Sequence, residues 1–334
     1  MITQTDFHRH KRILSIVLIV GILLFCLKIW LYWVTKSNAI LSDALESTVN
    51  VFAGAFALYS LILANKPSDK KHPYGHGKIE FLSASIEGAM IIAAGLVIII
   101  KSIYNFYVPV EVESLELGII FTTVSGGINL LMGIILIRNG KKVRSLLMKA
   151  SGKHLLSDAY TSAGLIIGLV VIHFTDLIWL DSVVAIIFGG IIIYSGYQIL
   201  TESIDGIMDG ADFDSLEGLV KHLQATRKED WIDIHKMRMI KYGTFMHFDC
   251  HVTVPRYYDI VQGHAVVDQI EEQIISQFNN QAEVFVHMDA CVPQSCGQCL
   301  MSNCPVRSSP KEKELVWQLE NLLENRKHGL QGGN

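Results

Sequence analysis

The chain alternates long apolar runs with short polar and basic connections over its first two thirds, and then changes to an amphipathic pattern. Six apolar runs have the length a helix needs to cross a bilayer, at about 13 to 35, 39 to 64, 81 to 106, 117 to 138, 150 to 174 and 178 to 201. From about residue 210 the spacing becomes that of a water-soluble fold. "DSLEGLVKHLQAT" and "IVQGHAVVDQIEEQIISQF" carry apolar residues at helical intervals, whereas "IDIHKMRMIKYG", "TFMHFDCHVTVP" and "AEVFVHMD" alternate as strands do. The order αββαβ in so short a segment predicts helices laid on a three-stranded sheet, a ferredoxin-like or metallochaperone-like domain. The expected fold is therefore an α-helical integral membrane protein, with a six-helix transmembrane bundle followed by a small cytoplasmic α+β domain. The domains read as 1–208 for the bundle, 209–290 for the sheet domain, and 291–334 for a cysteine cluster and one C-terminal amphipathic helix.

Composition agrees with this division. Half of the 334 residues are hydrophobic and the mean hydropathy is +0.35, too apolar for an ordinary soluble protein and too charged for a chain lying wholly in lipid. A net charge of −4 offers no argument for a nucleic-acid partner. The start "MITQTDFHRHKR" is polar and basic, and the run behind it is long enough to span with no small-residue cleavage site, so the first helix is expected to be retained. Lys and Arg crowd the N-terminus, the loop after the second run and the 138–153 connection, while "VPVEVESLE" on the other side is acidic. By the positive-inside rule both termini are cytoplasmic. Trp30, Trp33, Tyr104, Tyr107 and Trp179 then fall at the outer ends, as an interfacial aromatic belt requires.

Polar residues inside the apolar runs carry the candidate chemistry. A charge at the centre of a spanning helix costs about 3 kcal/mol even on insertion scales, so such residues usually serve function. Glu46 and Asn50 stand four apart in the second run, and His154 and Asp158 stand four apart in the fifth. Residues at i and i+4 share a helix face, so two such helices packed together would bring two carboxylates, an imidazole and an amide oxygen to one point. That set suits a four-coordinate divalent ion, whose charge would offset the buried carboxylates. The competing reading is that each pair hydrogen-bonds to neighbouring helices and only fixes packing. In the loop "KPSDKKHPYGHGKIEF", Asp69, His72 and His76 form a second set, with Pro73 and Gly75 presetting a tight turn between the imidazoles. These histidines also read as solvated residues of a basic loop.

"SNAILSDALESTVNVFAG", "HPYGHGKIEFLSA" and "KHLLSDAYTSAG" together resemble the signature of the cation diffusion facilitator family, and the six-span layout with a small cytoplasmic domain is similar to it over about residues 12 to 291. The resemblance implies a homodimeric exporter of divalent transition metals, exchanging them for protons across a bacterial cytoplasmic membrane, with no catalytic cofactor and no enzyme activity. By position it assigns Glu46, Asn50, His154 and Asp158 to the transport site, and Asp69, His72 and His76 to a cytoplasmic loop site. It assigns His235, His251, His264, His287 and Asp289 to a metal cluster at the dimer interface of the soluble domain, a regulatory sensor; surface imidazoles are the alternative. Glu46 and Asn50 depart from the Asp or His and the Asp usual in zinc-carrying members. His154 still ranks Zn²⁺, Fe²⁺ and Co²⁺ above oxygen-preferring Mn²⁺. Zn²⁺ is the expected substrate, with Fe²⁺, Co²⁺, Cd²⁺ or Mn²⁺ as alternatives, and a membrane-anchored sensor that moves no metal as a competing class.

Cys291, Cys296, Cys299 and Cys304 in "CVPQSCGQCLMSNC" are an addition to that family pattern. In a reducing cytoplasm four thiolates can enclose a structural Zn²⁺; the alternative is a redox-sensitive or partly unligated loop.

Overall fold

A computed structural model describes residues 4–35, 38–107, 115–175 and 179–328. Two compact units comprise Ile2–Met208 and Asp209–Asn334.

The first unit is built from α1 (Gln4–Thr35), α2 (Asn38–Ala64), α3 (Ile79–Tyr107), α4 (Leu115–Val143), α5 (Leu146–Thr175) and α6 (Trp179–Ile207). Among the described residues, Phe7–Val34, Ser47–Ala64, Ile79–Tyr104 and Ser182–Ile207 are long and apolar enough to cross a membrane. For α4 and α5 the six-crossing reading rests on the sequence, because much of their apolar length lies outside the described side chains. The helices overrun the apolar runs at their basic ends, since Lys, Arg and Gln are good helix formers and hydropathy marks only the part suited to lipid. The 138–150 connection accordingly shrinks to a sharp turn in which Arg144 takes a left-handed conformation (φ 56°). Ser145 N–H there bonds the Gly140 carbonyl at 3.0 Å.

Glycine sets the closest helix pairings. A Cβ on Gly196 of α6 would stand 2.9 Å from the Gly88 carbonyl oxygen of α3, and one on Gly152 of α5 would stand 2.9 Å from that of Gly133 on α4. Backbones at this separation gain dispersion contact along their length, the main attraction available where lipid removes the hydrophobic drive. Buried polar groups are matched across helices as well. Ser145 donates to Glu80 and Ser151 to Glu87, both at 2.7 Å, and Lys28 donates to Ser47 at 2.8 Å.

In the second unit, α7 (Phe213–Thr226), β1 (Asp233–Tyr242), β2 (Phe245–Val254), α8 (Ile260–Gln277) and β3 (Ala282–Ala290) follow the expected αββαβ order. The sheet order is β1-β2-β3, with β1 antiparallel and β3 parallel to β2. Asp212 caps α7 and Asp259 caps α8, the latter in a reciprocal box with Gln262. Period-two alternation sends Met246, Phe248, Cys250 and Val252 of β2 into a core with Leu216, Leu219 and Leu223 of α7 and Ile270 and Ile274 of α8. His251 therefore takes the other face.

The C-terminal segment departs from expectation. In place of one long amphipathic helix from residue 308, among the described residues of this segment only Leu319–Leu322 is helical (α9). Side chains of the sheet domain capture the backbone instead. Gln224 accepts from Trp317 N–H at 2.8 Å, Arg227 donates to the Leu315 carbonyl at 2.5 Å, and the Arg227 guanidinium lies 4.1 Å from the Trp317 ring centroid. Trp317 is 3% exposed and belongs to the sheet domain's core. Burying that indole outweighs the weak local preference for a helix.

Candidate functional site

Three groups of side chains able to ligate a metal assemble, each on its own local scaffold. Within the helical unit, α2 and α5 face one another through Asn50, His154 and Asp158. With the Asn50 amide nitrogen donating to Asp158 Oδ2 at 2.6 Å, the amide oxygen is left to accept from His154 Nε2 at 2.9 Å. One residue of α2 thus bridges two residues of α5 that lie one turn apart. His154 is 8% exposed. Glu46 belongs to α2, but its side chain lies outside the described residues. The remaining three predicted members converge as the i, i+4 spacing requires. An imidazole nitrogen and a carboxylate, each within hydrogen-bond reach of the same side-chain amide, offer mixed nitrogen and oxygen donors to a divalent ion.

The loop between α2 and α3 draws Asp69, His72 and His76 together, with one ligand atom of each within 4.8 Å of the others. Asp69 makes the turn: its Oδ1 accepts from the N–H groups of Lys71 at 2.9 Å and His72 at 2.8 Å. Gly75 supplies the left-handed residue (φ 87°) that folds His76 back, leaving the two imidazole rings 4.5 Å apart. The His72 backbone N–H, aided by that of Lys71 and by the His72 ring, holds the Asp69 carboxyl down at about 2. The carboxylate is therefore ionised and available at any physiological pH.

On the open face of the sheet, register places His235 opposite His251 and His251 opposite His287. The rings follow in a row, 5.3 and 4.5 Å apart between centroids. A bulge after His235, with Lys236 left-handed at φ 55°, lets Ile234 and Met237 both face the core while His235 stays on the histidine face. Asp289 is the hub of this group. It lies 3.1 Å from His251, 3.5 Å from His235, 3.8 Å from His287 and 3.4 Å from Lys327. Burial opposes ionisation of Asp289, but the bond from His251 and the Lys327 ammonium hold its carboxyl below the usual range. Burial also lowers His251, which favours the neutral, metal-ligating imidazole.

His264 does not join this row. It sits exposed on α8, 3.0 Å from Asp268. Sequence reasoning missed Asp233, which reaches His235 at 3.3 Å, and the tail residues Lys327 and His328, the latter 2.5 Å from Asp233. Strand parity with His235 was the available signal for Asp233; nothing local announced the tail.

Cys291, Cys296, Cys299 and Cys304 line one cavity, all as free thiols. Among the described residues, the groups with three ligand atoms inside 4.8 Å are the loop set and His235, His251 and Asp289; the cysteines stand farther apart.

Comparison with known proteins bears on these sites. Residues 13–208 match the cation efflux transmembrane domain, and residues 212–291 match the cytoplasmic domain of cation efflux proteins. An uncharacterised transporter of Synechocystis sp. is 30% identical over 263 residues, 79% of this chain and 84% of the relative. The manganese efflux system protein MneS of Bacillus subtilis is 26% identical, covering 76% and 86% of the two chains. The cation-efflux pump FieF of Cronobacter sakazakii is 26% identical, covering 82% and 90%.

Proposed function

The chain belongs to the cation efflux family, also called the cation diffusion facilitators, and we propose that it exports a divalent transition-metal ion, Zn²⁺ foremost, from the cytoplasm in exchange for protons. It is a multi-pass membrane protein that moves divalent cations outward. Our reading adds the bacterial cytoplasmic membrane as its location, cytoplasmic termini, a homodimeric assembly, and the ligand sets named above. No catalytic cofactor is required, because the metal is the cargo.

The observation that carries the proposal is the Asn50 bridge between His154 and Asp158. In this arrangement the proton on His154 Nε2 occupies the place of a metal ion. An ion that binds must take the Nε2 lone pair, so the proton leaves that nitrogen, to solvent from a doubly protonated ring or to Nδ1 in a neutral one, and the Asn50 oxygen and the Asp158 carboxylate turn from hydrogen bonds to coordination. When the site opens to the opposite side, the higher proton activity there restores the hydrogen-bonded form and expels the ion. Rocking of helices about a fixed intramembrane site is the general form of such a cycle. Asn50 itself cannot titrate, so proton exchange falls to His154, Asp158 and Glu46.

The imidazole ranks Zn²⁺ first, with Fe²⁺ and Co²⁺ next. Manganese is the second reading, supported by the resemblance to a manganese efflux protein and by the preponderance of oxygen donors. The His235, His251, His287 and Asp289 group serves as a cytoplasmic sensor in this scheme. The exposed His264 is the ligand that pairing of two chains would have to bring in.

Proteoliposomes under an imposed pH gradient, offered Zn²⁺, Fe²⁺, Co²⁺, Cd²⁺ and Mn²⁺ in turn, test the assignment. Uptake driven by the gradient and abolished by Asp158→Ala is expected. Native uptake by a correctly inserted Asp158→Ala protein would overturn the site, and preference for Mn²⁺ would overturn the metal.

A further inference from the structure

The matched cytoplasmic domain ends at residue 291, and the tail beyond it folds back onto the histidine face of the sheet. Two kinds of attachment hold this tail. Trp317 and Leu322 are buried in the apolar core of the domain, an anchor that does not depend on charge. Residues 324–328 are held by polar contacts. The Glu324 carbonyl accepts at 2.7 Å from the N–H of Lys236, the bulge residue of β1 that adjoins the candidate ligand His235. Lys327 Nζ donates to the Ala290 carbonyl at 3.0 Å and lies 3.4 Å from Asp289 Oδ1. Asp233 Oδ2 accepts from the His328 N–H at 3.1 Å.

The tail thereby sets a fixed positive charge beside the hub of the histidine row. Asp289 turns one oxygen to each side: Oδ2 faces His235 and His251, and Oδ1 faces the Lys327 ammonium. Both partners of this ion pair are largely screened from solvent, with side chains 18% and 22% exposed, so the charges act on one another at more than surface strength. His328 adds to the same field. Its Nδ1 lies 2.5 Å from Asp233 Oδ1 and its Nε2 lies 2.9 Å from the Asn321 carbonyl oxygen, so both ring nitrogens face acceptors, as an imidazolium requires. Asp233 in turn lies 3.3 Å from His235.

We propose that Lys327 is a built-in competitor for the cytoplasmic metal site, and that a divalent ion taken up by His235, His251 and Asp289 releases residues 324–328 from the sheet. The inference rests on the reading of those three side chains as a metal site. Their ligand atoms lie within 4.8 Å of one another, and the Lys327 ammonium sits against the only carboxylate among them. With the tail docked, the charges of Asp289 and Lys327 cancel. A divalent ion on Asp289 with two neutral imidazoles makes the site net positive, and what attracted the ammonium then repels it. Coupling of this kind is reciprocal: the docked tail weakens metal binding by the same factor by which metal weakens docking. The site therefore fills only at metal concentrations high enough to displace the tail. The Trp317 anchor keeps the released residues close, so they dock again when the ion leaves.

The test uses the full chain in detergent, with Zn²⁺ as the probe. Calorimetry on Asp289→Asn identifies the cytoplasmic binding event as the one that this substitution abolishes. Lys327→Met keeps the stem of the side chain and removes the charge, and it should tighten that event about fivefold or more, the low end of usual coupling between sites. Lys327→Arg, which keeps the charge, should bind as the native chain does. Tryptic cleavage after the exposed Arg326 reads the tail directly: Zn²⁺ should quicken it about fivefold in the native chain and leave it unchanged in Asp289→Asn. Unchanged affinity in Lys327→Met, or the weaker affinity expected if Lys327 only positions Asp289, would overturn the inference and leave the metal site standing. Zn²⁺ binding undiminished in Asp289→Asn would overturn the metal site and the inference with it.

Discussion

Replacing Asn50 by alanine removes an α2 side chain that joins both α5 residues. Two bonds go with it, the 2.9 Å contact to His154 Nε2 and the 2.6 Å contact to Asp158 Oδ2. A neutral hydrogen bond contributes about 1 kcal/mol and one to a carboxylate about 1.5–3 kcal/mol, so the empty site should lose about 3 kcal/mol of helix–helix attachment. The loaded site loses a donor outright. Loss of a residue that merely orients a ligand lowers metal affinity about 10–100-fold, so loss of the ligand itself should lower it by at least about 100-fold, or about 2.7 kcal/mol. Initial rates of Zn²⁺ entry into proteoliposomes, taken over a range of metal concentrations at fixed pH gradient, separate KM from kcat. The expected result is a rise in KM of that size, with protein yield and bilayer insertion retained. A KM within threefold of native would show that Asn50 is a packing residue, and the three-donor site would have to be abandoned. Asn50→Asp, which keeps the size and adds a titratable donor, should bind metal again but show a steeper dependence on pH.

Asp289→Asn removes the carboxylate around which the three sheet histidines gather, and calorimetry on the full-length protein in detergent should show the loss of a cytoplasmic metal-binding event while the transport-site event persists. Gly196→Leu places side-chain atoms where a Cβ alone would already stand 2.9 Å from the Gly88 carbonyl, and it should lower the detergent unfolding temperature and impair transport, whereas Gly190→Leu, with nothing within 4 Å, should leave both unchanged. Asp212 caps α7 and pairs with Lys241 at 2.5 Å. Burial opposes its ionisation, but the bonds from Lys241 and Ser215 hold the carboxyl below its ordinary value. A depressed carboxyl stabilises the fold above about pH 4 and loses that contribution as pH falls through the folded value. Protection against hydrogen exchange over residues 213–226, relative to the intrinsic rate at each pH, should therefore fall on acidification, and Asp212→Ala should cost about 1–2 kcal/mol at neutral pH and abolish that acid response.

The ligand sets divide by how local they are. The pairing of His154 with Asp158 and the Asp69, His72 and His76 turn follow from spacing alone, because a helix turn and a glycine-hinged loop bring near neighbours together without help from the rest of the chain. The αββαβ order was legible for a similar reason: alternation of period two and period 3.6 is imposed by the local geometry of strands and helices. Amino-acid order by itself thus determined the membrane character, most element types and the closeness of the candidate ligands within each local set.

What remained depended on contacts between distant segments. The bulge at Lys236 sets the parity of His235, and no period-two reading anticipates an inserted residue. His264 shares the chemistry of the other histidines but lies on a helix rather than on the histidine face of the sheet, so composition could not separate it from them. The tail looked helical because its apolar spacing is helical, yet a short isolated helix is marginal in water and a buried tryptophan is not. Trp317, Lys327 and His328 therefore found their places only once the sheet existed to receive them. The cysteine spacing was plain from the start. Only the tertiary structure gathers all four around one cavity, because that needs the loop after β3 to fold back on itself around the Arg307 guanidinium.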